Sequence, residues 1–360
     1  MISFLLASVS ASSALAQDPT EPPPPPGAND DCKPGQDPTP VVLVHGTFAN
    51  RFVNFIRIAP DLESHGYCTW ALNYGCTTNR FSCGRGPIQH SARELRDFIE
   101  EVRARTGAAK VSIVGHSQGG LMPRYYIKFL HGEHNVVDMV SLSASNHGTD
   151  NPLAPFSVDC TACRQQHPYR GAFTEMVNRG DETPGPIAYT QIQTRFDETI
   201  VPYHSAYLAD DPDNEYHGPR TRRLNGPRTT NYCLQDRYPA DFSEHNTIAG
   251  DPNALSVIRA ALERSGPAEP PPEADTVCAR LAEESGNGGG SERSDGGGSD
   301  SVEDGSVGST KPRGGVEAGH LVSGSTGEAG VGPAPGNALV VAGSSLVALG
   351  FLVLRRSLPR

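Results

Sequence analysis

The residues best suited to chemistry form a Gly-x-Ser-x-Gly pattern at positions 115–119, with Ser117 at its centre. The apolar residues Val111, Ile113 and Val114 precede the pattern as a buried strand would, and apolar residues at helical spacing follow it within 121–130. In a strand-turn-helix setting this pattern predicts a nucleophile elbow, whose two glycines leave room for a sharp turn that exposes the serine hydroxyl. Ser117 is therefore the predicted nucleophile.

A serine hydroxyl attacks well only when an imidazole takes its proton and a carboxylate orients that imidazole. With an elbow of this kind the acid and then the histidine come later in the chain, each after a strand. His245 follows the last predicted strand and precedes the final helix, so it is the predicted base. His147 ranks second, ahead of His204 and His217. His116 adjoins the serine on a tight turn, and its side chain is expected to point away from the hydroxyl.

Asp197 follows a predicted strand and precedes an apolar turn, which makes it the predicted orienting acid, with its neighbour Glu198 as the alternative. Backbone N–H groups must stabilise the negative oxygen that forms on the substrate carbonyl. One oxyanion-hole donor is expected from Gln118, directly after the nucleophile. A second is expected from Thr47, after the first buried strand and Gly46. The chemistry that these residues predict is acyl transfer through an acyl-serine intermediate.

These side chains need a scaffold, and the sequence predicts an α/β domain over residues 38–266 with a mostly parallel sheet flanked by helices. Strands are expected at residues 41–44, 111–114, 136–142, 187–192 and 229–234. A capping box at residues 91–94 predicts a helix that ends at Gly107, and residues 253–262 have the pattern of a final helix. Residues 150–185 lack a sustained core pattern and are expected to form a small cap over the serine.

Composition narrows the range of partners. The chain of 360 residues has a formal net charge of -11, and it shows no basic patch interleaved with aromatic residues, so nucleic acid is not an expected partner. No cofactor motif is present. The acidic residues of segment 210–215 could bind calcium, but a solvated loop is the expected structure, and no metal site is predicted. The expected state is a monomer acting on an uncharged substrate.

Cysteine usage and the first residues favour export. Eight cysteines favour an oxidising compartment and disulfide bonds. Cys160 and Cys163 form a C-x-x-C pair with no second pair at metal-binding spacing, so a local disulfide is expected there. Residues 1–16 hold a short apolar run and an A-x-A cleavage pattern, which predict a secretory signal peptide although the basic start is missing.

The flanks of the domain have compositions that cannot build a core. Residues 17–37 include a run of prolines and are expected to be a stiff linker. Residues 267–337, largely Gly/Ser-rich, are expected to be a disordered tether. Residues 338–354 are uncharged and apolar, and the basic residues 355–360 follow, as in a short membrane span with a cytoplasmic tail. The domain is thus expected outside the cell, anchored by this segment.

Several segments resemble the small secreted bacterial lipases of the α/β-hydrolase superfamily, in particular the actinobacterial extracellular triacylglycerol lipases. They are VVLVHGTFAN at 41–50, ALNYG at 71–75, VGHSQGGLMPR at 114–124, SNHGT at 145–149 and EH at 244–245. The resemblance covers residues 38–263. It implies an α/β-hydrolase fold and hydrolysis of carboxylic esters, with acylglycerols at a lipid interface as substrates. It also implies Ser117, Asp197 and His245 as nucleophile, acid and base.

Two other functions are compatible with these residues. The first is a cell-envelope acyltransferase or esterase that uses the same three side chains with a different acyl acceptor. The second is a catalytically silent binding module of the same fold on the cell surface. The complete set of Ser117, Asp197 and His245 argues against the silent module.

Overall fold

A single parallel sheet organises the computed structural model, which describes residues 20–33, 35–37, 39–77, 79–152, 159–210, 225–271 and 278. Its strands are β1 Val41–Val44, β2 Thr69–Ala71, β3 Val111–His116, β4 Val136–Leu142, β5 Ala188–Gln193 and β6 Thr229–Cys233. Among the described residues they form one six-stranded sheet in the order β2-β1-β3-β4-β5-β6, with every neighbouring pair parallel. The predicted α/β architecture is confirmed.

Helices cover both faces of the sheet. They are α1 Arg51–Phe55, α2 Ile58–Ser64, α3 Ile88–Thr106, α4 Gln118–Phe129, α5 Thr161–Gln166, α6 Ala172–Asn178, α7 Leu234–Arg237 and α8 Pro252–Leu262. Because successive strand side chains point to opposite faces, Val42 and Val44 of β1 pack in the core with α3 and α4. Val41 and Leu43 pack in the second core with α2 and α8. This two-sided burial explains why β1 is a continuous apolar run.

The predicted start of α3 is wrong. The helix begins at Ile88, with Pro87 at its N-cap, so Ser91 lies inside the first turn and is buried rather than capping the helix. The Glu94 carboxylate accepts a hydrogen bond from the backbone N–H of Gly75 at 2.7 Å, which holds a neighbouring loop instead of the helix terminus. The predicted C-terminus is correct, because Gly107 caps the helix with a φ of 73°.

The segment before β1 is more closely attached than a linker would be. The carbonyl of Pro22 accepts a hydrogen bond from Arg51 Nε at 3.0 Å, and Ala28 forms a parallel bridge with Thr69. A disulfide joins Cys32 to Cys68. These contacts cover the edge of β2, which would otherwise present unpaired backbone groups.

Described residues after position 266 also contact the domain. The backbone N–H of Ala268 donates to Thr190 Oγ1 at 3.0 Å, and a disulfide joins Cys278 to Cys233 at the end of β6. Further disulfides join Cys76 to Cys83 and Cys160 to Cys163, the second as expected from the C-x-x-C pair.

Several predicted segments lie outside the described residues. They are the signal segment 1–16, the tether beyond residue 278, the membrane segment 338–354, the tail 355–360 and residues 211–215 of the acidic loop. Within the part of the chain that the structure describes, no helix is both long enough and apolar enough to cross a membrane.

Candidate active site

Ser117 lies on the sharp turn between β3 and α4, with φ of 57° and ψ of -125°. The glycines on either side permit this turn. A Cβ atom on Gly115 would lie 1.9 Å from the carbonyl oxygen of Gly119, and one on Gly119 would lie 1.9 Å from that of Val44. No larger residue fits at either position, so the elbow predicted from the sequence has a direct steric basis.

The side chains predicted as nucleophile, base and acid meet in one line of hydrogen bonds. His245 Nε2 lies 3.0 Å from Ser117 Oγ. On the other side of the ring, His245 Nδ1 lies 3.0 Å from each carboxylate oxygen of Asp197. All three residues are buried. Each one follows a strand at its carboxyl end: Ser117 follows β3, Asp197 follows β5 and His245 follows β6.

Asp197 is held in its ionised form. Burial alone would raise the pKa of this carboxyl, but hydrogen bonding and charge attraction from His245 and a backbone hydrogen bond from Ile200 outweigh it, and the pKa lies below its ordinary value. Asp197 Oδ1 accepts the backbone N–H groups of Ile200 at 2.7 Å and Thr199 at 3.0 Å. An ionised carboxylate on Nδ1 leaves Nε2 free to accept the serine proton.

The structure separates the predicted residues from their alternatives. Glu198 Oε2 accepts the backbone N–H of His245 at 3.1 Å, so Glu198 contacts the main chain and Asp197 contacts the imidazole. His147, ranked second as the base, is buried 3.2 Å from Glu182 Oε1, away from the serine. Burial lowers the pKa of His204 to about 4. His217 lies outside the described residues.

His116 has a contact that sequence reasoning missed. Its side chain points away from Ser117, as expected, but its Nε2 donates to the backbone carbonyl of His245 at 2.8 Å. The two rings lie 5.0 Å apart between centroids. Burial lowers the pKa of His116 to about 3, so its ring is neutral when it donates a hydrogen bond to the backbone of His245. His116 and His245 lie 129 positions apart in the sequence, which hides this contact from any local pattern.

The predicted oxyanion segment follows β1 and is held from several sides. The backbone N–H of Gly46 donates to Asn54 Oδ1 at 2.8 Å, and that of Phe48 donates to the carbonyl of Cys83 at 2.8 Å. Within the described residues, the intervening N–H of Thr47 has no protein acceptor, and neither has the N–H of Gln118 at the start of α4. Both groups are therefore free to bind a substrate oxygen.

A pocket of about 880 Å³ opens above Ser117 and His245. Large apolar side chains with substantial exposure line its mouth: Phe48 at 48%, Val53 at 65% and Ile56 at 47%. The predicted cap contributes part of the wall through Cys163 and Gln166, while residues 153–158 of that cap lie outside the described part. The site thus combines buried polar groups with an apolar entrance, as ligand sites commonly do.

Comparisons with known proteins find lipases that are similar to parts of this chain. Residues 38–208, just under half of the chain, match the model of the family Lipase (class 2). A triacylglycerol lipase of Pseudarthrobacter phenanthrenivorans is 41% identical over 91 residues, which are 24% of this chain and 27% of that lipase. A triacylglycerol lipase of Burkholderia plantarii is also 41% identical over 91 residues, 24% of each chain. The matches thus span about a quarter of the length of these curated relatives.

Among solved structures, Aspergillus fumigatus lipase B superposes with a TM-score of 0.54 at 20% identity, covering 72% of this chain and 59% of that one. The parallel sheet, the elbow and this superposition show an α/β-hydrolase fold. Over the matched segments the chain is similar to bacterial triacylglycerol lipases, and the resemblance expected from its sequence is confirmed.

Proposed function

We propose that this protein is a serine esterase of the lipase type, which hydrolyses carboxylic esters through an acyl-enzyme intermediate. One observation carries the proposal. The hydrogen bonds that run from Ser117 through His245 to Asp197 end at the floor of a large pocket with an apolar mouth. Such an arrangement activates a hydroxyl beside a space that accepts an acyl chain. The similarity to bacterial lipases supports the same reaction.

In the proposed mechanism, Ser117 Oγ attacks the ester carbonyl while His245 Nε2 takes its proton. The carbonyl oxygen becomes negative and binds the backbone N–H groups of Thr47 and Gln118. The protonated His245 then gives its proton to the departing alcohol, and Asp197 stabilises the imidazolium throughout. A water molecule, deprotonated by His245, releases the carboxylic acid and restores the serine.

The proposed substrates are acylglycerols presented at a lipid surface. The exposed apolar side chains Phe48, Val53 and Ile56 surround the pocket, and Val201 lies beside pocket residue Ile200 with 39% exposure. An exposed apolar rim of this kind is typical of an interaction site. It would lie against lipid while an ester enters the pocket.

We also propose that the enzyme works outside the cytoplasm. All eight cysteines are paired in disulfides, which persist in oxidising compartments. Residues 338–354, with the arginines that follow, would then hold the enzyme at the cell membrane.

Hydrolysis of a chain-length series tests this proposal. Nitrophenyl esters and acylglycerols of increasing acyl length are assayed below and above the concentration at which they aggregate. We expect saturable hydrolysis of both substrate types, with free fatty acid as the product. A product that is mainly a new ester when an alcohol is added would identify an acyltransferase. Absence of any turnover across the series would contradict the proposal.

A further inference from the structure

We propose that Gln166 is a positioning residue that couples the cap to the oxyanion donor Thr47. The inference rests on the proposed function, since Thr47 acts as a donor only if an acyl group reacts in this pocket. Gln166 is the last residue of α5 and lines the pocket. Its side chain reaches across 119 positions of sequence to the oxyanion segment.

Every polar atom of the Gln166 side chain has a defined partner. Nε2 donates to Thr47 Oγ1 at 3.1 Å and to the carbonyl of Ala162 at 3.0 Å. Oε1 accepts the hydroxyl of Ser145 at 2.6 Å, from the loop after β4. The backbone carbonyl of Gln166 accepts the N–H of Thr149 at 2.7 Å. With only 5% of its surface exposed, this amide is locked in one orientation.

Thr47 receives a second hydrogen bond from the elbow. Gln118 Nε2 donates to Thr47 Oγ1 at 3.3 Å and to the carbonyl of Gly84 at 3.0 Å. The Thr47 hydroxyl is therefore held between the residue that follows the nucleophile and the last residue of the cap helix. Stabilisation of an oxyanion requires donors that are already in place when the charge develops. A cap that shifted would release Thr47 from one of its two restraints.

The adjacent residue provides a matched control. Gln165 lies on the same helix, but its Oε1 accepts the N–H of Ile88 at 2.8 Å and its Nε2 donates to Gln89 Oε1 at 2.7 Å. These contacts attach α5 to α3 and do not reach Thr47. Loss of the Gln165 amide should thus weaken the attachment of α5 alone, whereas loss of the Gln166 amide should also disturb the oxyanion donor.

The test compares Gln166→Met with Gln165→Met in the full chain, each measured for kcat, KM and thermal unfolding with a soluble nitrophenyl ester. We expect Gln166→Met to lower kcat by about 10- to 100-fold, part of the roughly 10² to 10³-fold cost of losing an oxyanion donor. KM should change by less than about threefold, because the interaction serves the transition state. Gln165→Met should leave kcat near the wild-type value. An unchanged kcat in Gln166→Met would overturn the proposal.

Thr47→Val completes a double-mutant cycle, since it removes the hydroxyl but keeps the backbone donor. If Gln166 acts through Thr47, adding Gln166→Met to Thr47→Val should lower kcat by less than about threefold further. If the double variant instead loses kcat by the product of the two single-variant factors, the proposed coupling is overturned. If Gln166→Met fails to fold, Thr47→Val removes the same hydrogen bond by deleting its acceptor. A normal turnover of Thr47→Val would also overturn the proposed coupling. A wild-type chain without ester hydrolysis would instead refute the proposed function, and the coupling with it.

Discussion

At the scale of single residues, two adjacent carboxylates have different partners. Asp197 contacts both the imidazole of His245 and nearby backbone amides, whereas the exposed Glu198 carboxylate accepts the backbone N–H of His245 and the hydroxyl of Thr199. In the proposed mechanism, the charge of Asp197 fixes the tautomer of the neutral imidazole and stabilises the imidazolium that forms, and Glu198 can do neither from its position. The pair therefore offers a test of which acid supports the reaction.

We expect Asp197→Asn to lower kcat by about 10⁴-fold, as loss of the orienting charge does in serine triads. Glu198→Gln, the matched control, should retain kcat within about tenfold, because an amide oxygen still accepts the backbone hydrogen bond. Steady-state hydrolysis of a nitrophenyl ester measures both. Equal losses in the two variants would contradict the assignment of Asp197.

At the scale of elements, the elbow depends on the close approach of α4 to β1. Gly119→Ala would place a methyl group 1.9 Å from the carbonyl oxygen of Val44, against backbone that cannot yield. We expect this variant to lose several kcal/mol of stability, in the range of severe overpacking, and most of its activity.

Gly107→Ala is the control. It has a φ of 73° but open space around it, so it should cost only about 1 kcal/mol and keep full activity. Urea unfolding and ester hydrolysis measure the two effects, and equal stability in both variants would argue against the steric account.

The same elements show how far the sequence could be interpreted alone. The bounds of β1 and β4 were predicted correctly, β1 from a short continuous apolar run and β4 from a largely apolar stretch rich in valine. The short strand β2, Thr69–Ala71, has too few residues to show a period. At α3 the capping box was a local signal that Pro87 overrides, since proline fixes the backbone at the true start of the helix.

Part of the candidate site, like part of the fold, was predictable from the sequence. Chain order and strand ends were enough to predict Ser117, Asp197 and His245, because the fold brings the carboxyl ends of parallel strands to one edge. The contacts of His116 with His245, and of Gln166 with Thr47, have no sequence signature. They depend on how side chains from distant segments pack, which only the folded structure defines.

At the scale of the whole molecule, the residues predicted to react lie where the order of strands along the sheet reverses. The strand order places β1 between β2 and β3, so the chain reverses its direction of travel across the sheet at this point. Thr47 follows β1 and Ser117 follows β3, its neighbour in the sheet. Open α/β sheets bind ligands at such switch points, because adjacent loops there diverge and leave a crevice.

The opposite end of the sheet determines part of the pH dependence of stability. Asp138 is buried near the start of β4, and burial raises its pKa to about 6, although the Ser112 hydroxyl donates to it at 2.6 Å. Because the folded state binds this proton more tightly than the unfolded state, Asp138 favours folding at low pH. This contribution is lost as the pH rises from about 4 to about 6.

We therefore expect Asp138→Asn to be more stable than the wild type at pH 8, by about 1 to 3 kcal/mol, since each pKa unit corresponds to about 1.4 kcal/mol. Near pH 4 the two proteins should be nearly equal. Asp97→Asn, at an exposed position on α3, should show no such difference between the two pH values. Urea unfolding at both pH values measures these differences in the free energy of unfolding. A wild type that is more stable than Asp138→Asn at pH 8 would contradict the expected sign.

The identity of the nucleophile is tested most directly by covalent labelling with a fluorophosphonate, followed by peptide mass spectrometry and ester hydrolysis by Ser117→Ala. We expect one phosphonyl group per chain, on the peptide that contains Ser117, with full loss of activity in the labelled protein. Ser117→Ala should fold normally, take up no label and hydrolyse esters about 10⁴ to 10⁶-fold more slowly. Labelling at another residue, or near-normal hydrolysis by Ser117→Ala, would contradict the role assigned to this serine.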